Sequence, residues 1–269
     1  MKHYKRVLTI AGSDSGGGAG TQADIKTISA NGCFATCAIT AVTVQNTIGV
    51  TGIHSIPSNI IKGQIEAVLD DIGTDSVKIG MLATSATIAV VKEALEKYMI
   101  KDVVLDPVMV ATSGDKLLED DAIESLCNQL VPLARVITPN VPEAEILLNK
   151  KLEHQDDMPS FAKELAEKYG VSVLLKAGHM KDERLIDIFY NNETSETLEL
   201  ESKRIHTENT HGTGCTLSSA FASMLAQGFD LNESARRAKD YINGAIVAGA
   251  DYKIGHGHGA VKHFYKLWN

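Results

Sequence analysis

The chain is 269 residues long and carries 26 Lys and Arg against 34 Asp and Glu, a formal charge of −8 with histidine neutral. That acidic balance (pI about 5.6), with no Lys/Arg run, excludes a nucleic-acid partner or an anionic-membrane surface. No stretch reaches the ~18 apolar residues of a membrane helix, and the apolar run after Lys2, Lys5 and Arg6 ends in Ser13-Asp14-Ser15, too short for a signal peptide.

Residues 7–11 read as a strand and 21–30 as a helix after a glycine turn; 37–44 form a second strand. Helical spacing follows over 59–72 (Ile61, Ile65, Val68, Leu69, Ile72). Residues 77–79 are a short strand, and Ile88, Val91, Leu95 and Tyr98 mark the next helix. The alternation continues with a strand at 103–105, a helix at 122–130, a strand at 136–137 and a helix at 143–148. A helix at 161–169 and strands at 173–175 and 185–190 come next, the last pairing with 197–201. Two long helices, 216–227 and 234–250, follow.

Short apolar strands alternating with helices define βαβ units, so the fold class is α/β with a mostly parallel central sheet. No Pro/Ser-rich linker, repeat or low-complexity tract interrupts the chain, which reads as one domain over 1–269. Four cysteines (Cys33, Cys37, Cys127, Cys215) without a CxxC pair point to a reduced, cytosolic setting. Ligands of such sheets gather beyond the carboxyl ends of the strands, so polar residues just after strands are the candidates.

The first strand runs into Ala11-Gly12-Ser13-Asp14-Ser15-Gly16-Gly17-Gly18-Ala19-Gly20. A dinucleotide fingerprint counted from Gly16 meets Thr21 at its last glycine, and a Walker loop counted from Gly12 meets Gly18-Ala19 in place of Lys-Ser/Thr. Both motifs fail, leaving a mobile turn or a loop whose backbone approaches a ligand closely. The second loop, Thr210-His211-Gly212-Thr213-Gly214-Cys215-Thr216, opens a helix with Leu217, Phe221, Met224 and Leu225 on one face. Its free N–H groups would form an anion hole. Cys215 there is either a small buried residue or a thiol whose pKa the helix start lowers; the flanking glycines favour the second.

Asp106 ends the strand Val104-Leu105 and is followed by Pro107, which cannot extend a central strand. Asn140 and Glu143 have the spacing of a capping box. Alternatively, Asp106 and Glu143, from neighbouring βα units, could converge on a hydrated Mg²⁺. Lys176 ends the strand 173–175 beside Ala177-Gly178 and could reach phosphates. An anion hole, a poised base, a carboxylate pair and a lysine are what phosphoryl transfer needs.

Six motifs stand in register with one family: the first glycine loop, Thr43-Val44-Gln45-Asn46-Thr47, Lys78-Ile79-Gly80-Met81-Leu82, Asp106-Pro107-Val108-Met109, Thr138-Pro139-Asn140-Val141-Pro142-Glu143-Ala144, and 210–216. Along nearly its whole length the chain resembles the hydroxymethylpyrimidine/phosphomethylpyrimidine kinases of thiamine biosynthesis, a branch of the ribokinase-like fold. The resemblance implies a three-layer fold with its site along one edge. It also implies ATP-dependent phosphorylation of 4-amino-5-hydroxymethyl-2-methylpyrimidine and then of its monophosphate, with ATP and Mg²⁺ as cofactors, and a homodimer. Carried over by position, Gln45 would hydrogen-bond the pyrimidine edge, with Gly12, Asp24, Met81 and Val108 lining the pocket. Cys215 stands where ribokinase relatives carry an aspartate base and would accept the hydroxymethyl proton, while Gly212, Thr213, Gly214 and Cys215 bind the transferring phosphate. Asp106 and Glu143 would organise Mg²⁺, with Asn140, Lys176 and Thr213 at the ATP phosphates.

Two positions depart from the family's pattern. Lys176-Ala177-Gly178-His179 stands where Lys-Gly-Gly-His is frequent, a methyl that would tighten that loop, and Ala260 follows Gly255-His256-Gly257-His258-Gly259 where Pro is common. His256 and His258 lack a third ligand and read as loop residues, while the glycines around them, like those of the other two loops, would bring backbone near ligands. Rival readings are a pyridoxal/pyridoxine kinase of the same branch, a non-catalytic nucleotide-binding regulator on the same fold, and a Rossmann dehydrogenase.

Overall fold

The computed structural model describes residues 2–109, 120–178, 180 and 182–268. His179, and with it part of the Lys176-Ala177-Gly178-His179 comparison, lies outside the described residues. Among the described residues nine strands form one sheet: β1 (Arg6–Asp14), β2 (Phe34–Gln45), β3 (Val50–Ser55), β4 (Ser76–Ile79), β5 (Val103–Leu105), β6 (Val136–Ile137), β7 (Ser172–Leu175), β8 (Arg184–Asn191) and β9 (Glu196–Lys203). Their order is β3-β2-β1-β4-β5-β6-β7-β8-β9. From β2 to β7 every pairing is parallel; β3, β8 and β9 join antiparallel at the two flanks.

The central strands are short and apolar because helices cover both faces. Alternate residues separate into two cores: Leu8, Ile10, Val77, Ile79, Val103, Leu105 and Ile137 face one side, Val7, Val104, Val136 and Leu174 the other. The first core packs on α2 (Ser58–Asp71), α3 (Ser85–Lys97), α4 (Asp120–Ser125), α5 (Val141–Leu148) and α6 (Met158–Tyr169). The second packs on α1 (Gly20–Ala30), α7 (Thr213–Ala226) and α8 (Leu231–Gly249). The result is the three-layer α/β arrangement with a mostly parallel sheet.

Differences from the sequence reading fall where polarity misleads. Strand β3 was not expected, because its pattern Val50-Thr51-Gly52-Ile53-His54-Ser55 lies at a sheet edge with little burial. The helix expected over 122–130 is α-helical only to Ser125; Leu126–Leu130 is a π-helical turn, and Val131–Leu133 a 3₁₀ turn containing Pro132. Helix α7 begins at Thr213, three residues earlier than expected, so the glycine loop lies inside its first turn. From Thr216 to Ala226 it is buried all round, as small residues (Ser218, Ser219, Ala220, Ala222, Ser223) let it lie close to β1, β4 and β5.

Candidate active site

The parallel strands end together, and a cleft of about 800 Å³ opens beyond their carboxyl ends. Gly12, Gln45, Met81, Asp106, Val108, Asn140, Glu143, Lys176, Gly212, Thr213, Gly214 and Cys215 all line it. Asp24, expected in the pyrimidine pocket, does not. Its carboxylate is fully buried, with Lys78 Nζ at 2.9 and 3.0 Å from its two oxygens and the hydroxyls of Thr9 and Ser219 donating at 2.6 and 2.7 Å. Every lone pair available for a ligand is taken by the fold.

Lys78 is the partner that sequence reading missed. It is the charged member of Ser76-Val77-Lys78-Ile79, and strand alternation turns it, with Ser76, toward α1 and α7, away from the apolar face of Val77 and Ile79. It is fully buried yet held charged: burial alone would lower its pKa, but the carboxylates of Asp24 and, beyond it, Asp106 outweigh that and raise it. Gly80 leaves room for it: a Cβ there would sit 2.8 Å from Nζ.

The first glycine loop is organised by Asp14. Its Oδ1 accepts the N–H of Gly16 at 2.7 Å, and its Oδ2 those of Gly18 and Ala19 at 3.0 and 2.8 Å. His211 Nε2 stands 2.9 Å from the same Oδ2. These donors hold the Asp14 carboxyl below its usual range despite burial. An aspartate followed by glycines two and four residues on is a readable Asx-turn signal. Gly12 lies at a register break between β1 and β2, where a Cβ would meet Met81 Sδ at 3.1 Å.

The second loop starts α7 with Gly212 in the left-handed region (φ 79°). A Cβ there would collide with the carbonyl oxygen of Gly18, so the two glycine loops touch backbone to backbone. Of the expected N–H donors, that of Thr213 turns to Thr210 O at 3.3 Å, while Gly214 and Cys215 lie in the helix's first turn, ahead of the intrahelical ladder. Cys215 corrects an expectation. Its thiol is pushed up to about 11, because burial together with Asp24 and Asp106 outweighs Lys78 and the N–H of Gly20. At neutral pH it is a thiol, not a thiolate.

Asp106, Lys176 and Glu143 come together at the other side of the loop. Lys176 Nζ lies 2.9 Å from Asp106 Oδ1, to which Thr138 Oγ1 also donates at 3.0 Å. Lys176 and Lys78 hold Asp106 below the usual carboxylate range despite burial. Glu143 is pushed up to about 7, chiefly by burial, with Asp106 adding to it and Lys176 opposing. The capping box is real: Asn140 Oδ1 accepts the N–H of Glu143 at 2.9 Å and Glu143 Oε2 that of Asn140 at 2.8 Å. The cap and the cleft share these residues, so the two sequence readings are not exclusive. Gly214 is pressed between the groups; a Cβ would stand 3.3 Å from both Asp106 Oδ2 and Lys176 Nζ.

The glycines of 255–259 approach the protein itself. His258 N–H donates to Thr47 O at 2.8 Å, Cβ atoms on Gly255 and Gly257 would collide with Thr47, and one on Gly259 with Asn209. His256 and His258 are exposed, and no group of three or more metal-ligating side chains occurs among the described residues. No helix among them is long and apolar enough to cross a membrane.

Comparison with known proteins agrees with this geometry. The family described as phosphomethylpyrimidine kinase matches residues 14–262. A hydroxymethylpyrimidine/phosphomethylpyrimidine kinase of Rhizobium meliloti (strain 1021) is 44% identical over 262 residues, covering 97% of each chain. The crystal structure of the phosphomethylpyrimidine kinase from Clostridium difficile 630 is 44% identical with a TM-score of 0.79, covering 90% of this chain and 99% of that one. An ADP complex of Bacillus subtilis pyridoxal kinase is 36% identical with a TM-score of 0.89, covering 99% and 100%. With the match running through both glycine loops and every strand end that meets the cleft, the chain belongs to the phosphomethylpyrimidine kinase family and is a phosphotransferase of ribokinase-like fold.

Proposed function

We propose that the chain transfers the γ-phosphoryl group of ATP to the hydroxymethyl oxygen of 4-amino-5-hydroxymethyl-2-methylpyrimidine, and then a second phosphoryl group to the monophosphate, giving the diphosphate used in thiamine assembly. One observation carries the reading: Gln45, Gly12, Met81 and Val108 line the same cleft as the start of α7, beside which stand Lys176 and Asp106. The amide supplies one donor and one acceptor to a flat heteroaromatic edge, and the apolar residues form the slot. The N–H groups of Gly214 and Cys215 face the transferring phosphoryl with the positive end of α7 behind them. Lys176 and the Asn140 amide nitrogen stand at the ATP phosphates.

In each transfer the bond from the γ-phosphorus to the bridging oxygen of ADP breaks as the acceptor oxygen bonds to phosphorus. In the first the hydroxymethyl proton passes to the transferred phosphate; in the second a phosphate oxygen of the monophosphate is the acceptor, with no hydroxymethyl proton to remove. A loose transition state asks little of a base. Cys215, a thiol at neutral pH, therefore orients the acceptor hydroxyl rather than removing its proton in advance.

Asp106 and Glu143 suit a hydrated Mg²⁺. They offer oxygen ligands only, from adjacent βα loops, and such an ion completes its shell with waters and substrate phosphates. When bound, it would neutralise charge on the phosphates.

A pyridoxal kinase is the second reading, favoured by the closer superposition on the Bacillus subtilis pyridoxal kinase. The higher identity to the pyrimidine kinases supports the first. A coupled ADP-release assay separates them: the aminopyrimidine turns over much faster than pyridoxal, and a preference for pyridoxal reverses the assignment. We also read the chain as one cytosolic domain that forms a homodimer. The single sheet and four free thiols support the first two points. The exposed Val42, Val44, Ile48 and Ile53 on and beside the edge hairpin support the third, and light scattering with Val44→Glu tests it.

A further inference from the structure

Thr43 and His211 hold the Gln45 amide from opposite sides. Thr43 Oγ1 lies 2.8 Å from the carbonyl oxygen of Ser13 and 3.0 Å from Gln45 Oε1. A hydroxyl has one proton and cannot donate to both oxygens. The shorter contact is to a backbone acceptor fixed in β1, which leaves the Thr43 oxygen to act as an acceptor toward the amide. On the other side His211 Nε2 stands 2.9 Å from Asp14 Oδ2 and 3.4 Å from Gln45 Nε2. Asp14 is a carboxylate, so the proton of that contact is on Nε2. An amide nitrogen facing it sets two donors against each other. An amide oxygen at 3.4 Å takes no second hydrogen bond, since the one Nε2 proton is given to Asp14, but removes that repulsion and meets the positive edge of the ring. Oxygen and nitrogen of an amide are assigned from such networks.

We infer that the Gln45 amide stands with its nitrogen on Thr43 Oγ1 and its oxygen toward His211 Nε2–H, and that Thr43 and His211 are positioning residues that select amino- over oxo-substituted heteroaromatic substrates. The inference rests on the pyrimidine reading of the cleft. Beside its hydroxymethyl group the aminopyrimidine presents an exocyclic N–H donor and then a ring-nitrogen acceptor, a pair that an amide matches in one order only. A 4-oxo analogue presents an acceptor first. Both positioning residues sit on structures built for other reasons, Thr43 on β2 and His211 between the glycine loops, so the amide cannot reverse without breaking one of them.

The test is titration calorimetry with the aminopyrimidine and its 4-oxo analogue, on the wild type, Thr43→Val, Thr43→Ser, His211→Leu and His211→Gln. The wild type prefers the amino compound, Thr43→Val and His211→Leu each shrink that preference about tenfold, and the Ser and Gln variants, which keep a polar partner, restore most of it. A collapsed pocket would weaken both ligands equally, so the ratio reports orientation. Equal wild-type affinities, or a preference unmoved by Thr43→Val and His211→Leu, overturn the inference alone. A wild type that binds neither pyrimidine removes the functional reading and the inference with it.

Discussion

The ammonium of Lys78 lies 2.9 and 3.0 Å from the two oxygens of Asp24, with both side chains fully buried between β4, α1 and α7. Removing one partner strands the other charge in a medium that cannot solvate it. Lys78→Met or Asp24→Asn should therefore cost about 3–5 kcal/mol of stability. The pair Lys78→Met with Asp24→Leu should recover much of that loss. Urea unfolding of the three variants checks this; single variants within about 1 kcal/mol of wild type would contradict it.

Cys215 should behave as a thiol. Burial holds it at about 11, so alkylation at this residue, followed by peptide mapping, should be slow at neutral pH and rise steeply as pH climbs. Cys215→Ala should lower kcat by roughly tenfold or less, whereas removing an obligate general base costs about 10²–10⁴-fold. Fast labelling at pH 7 together with a thousandfold loss would restore the thiolate base.

The glycines of the second loop should not be equivalent. At Gly212 a side chain meets both a left-handed φ and the carbonyl of Gly18, so Gly212→Ala should lose the loop contact and cost several kcal/mol. At Gly214 a methyl stands 3.3 Å from Asp106 Oδ2 and Lys176 Nζ. Those side chains can give a few tenths of an ångström, so Gly214→Ala should fold and lose activity, with kcat down by at least about tenfold through misplacement of the site. Thermal unfolding and steady-state kinetics of both variants test the contrast.

Acid should destabilise the fold through His263. Its imidazole accepts or donates at Thr216 Oγ1 across 3.1 Å, and burial, with Lys26 adding to it, lowers its pKa to about 4. A base with a depressed folded-state pKa resists protonation that the unfolded chain accepts, so stability present above pH 6.5 is lost as pH falls toward 4. The shift corresponds to about 3 kcal/mol. His263→Gln should flatten that stretch of the denaturation profile; an unchanged slope would place the acid sensitivity elsewhere.

The alternation of strands and helices was legible because apolar periodicity survives in nearly every central element. β3 escaped because an edge strand needs no apolar face, and the π turn at Leu126–Leu130 because its cause lies in packing rather than in residue type. Site residues that follow strands, such as Asp106 and Lys176, were readable from topology alone. Asp24 was misplaced and Lys78 overlooked for one reason: each looks like a ligand group or a surface charge until its partner, 54 residues away, is known. The Cys215 thiol misled similarly, since a helix start lowers a pKa only where burial does not outweigh it.

The proposed reaction is two successive phosphoryl transfers to one aminopyrimidine in one cleft. Mass spectrometry of a reaction containing the enzyme, ATP, Mg²⁺ and 4-amino-5-hydroxymethyl-2-methylpyrimidine tests it directly. The monophosphate is expected first, and the diphosphate at its expense as ATP is supplied in excess. An unmodified pyrimidine, under conditions where the same enzyme consumes ATP with pyridoxal, would contradict it.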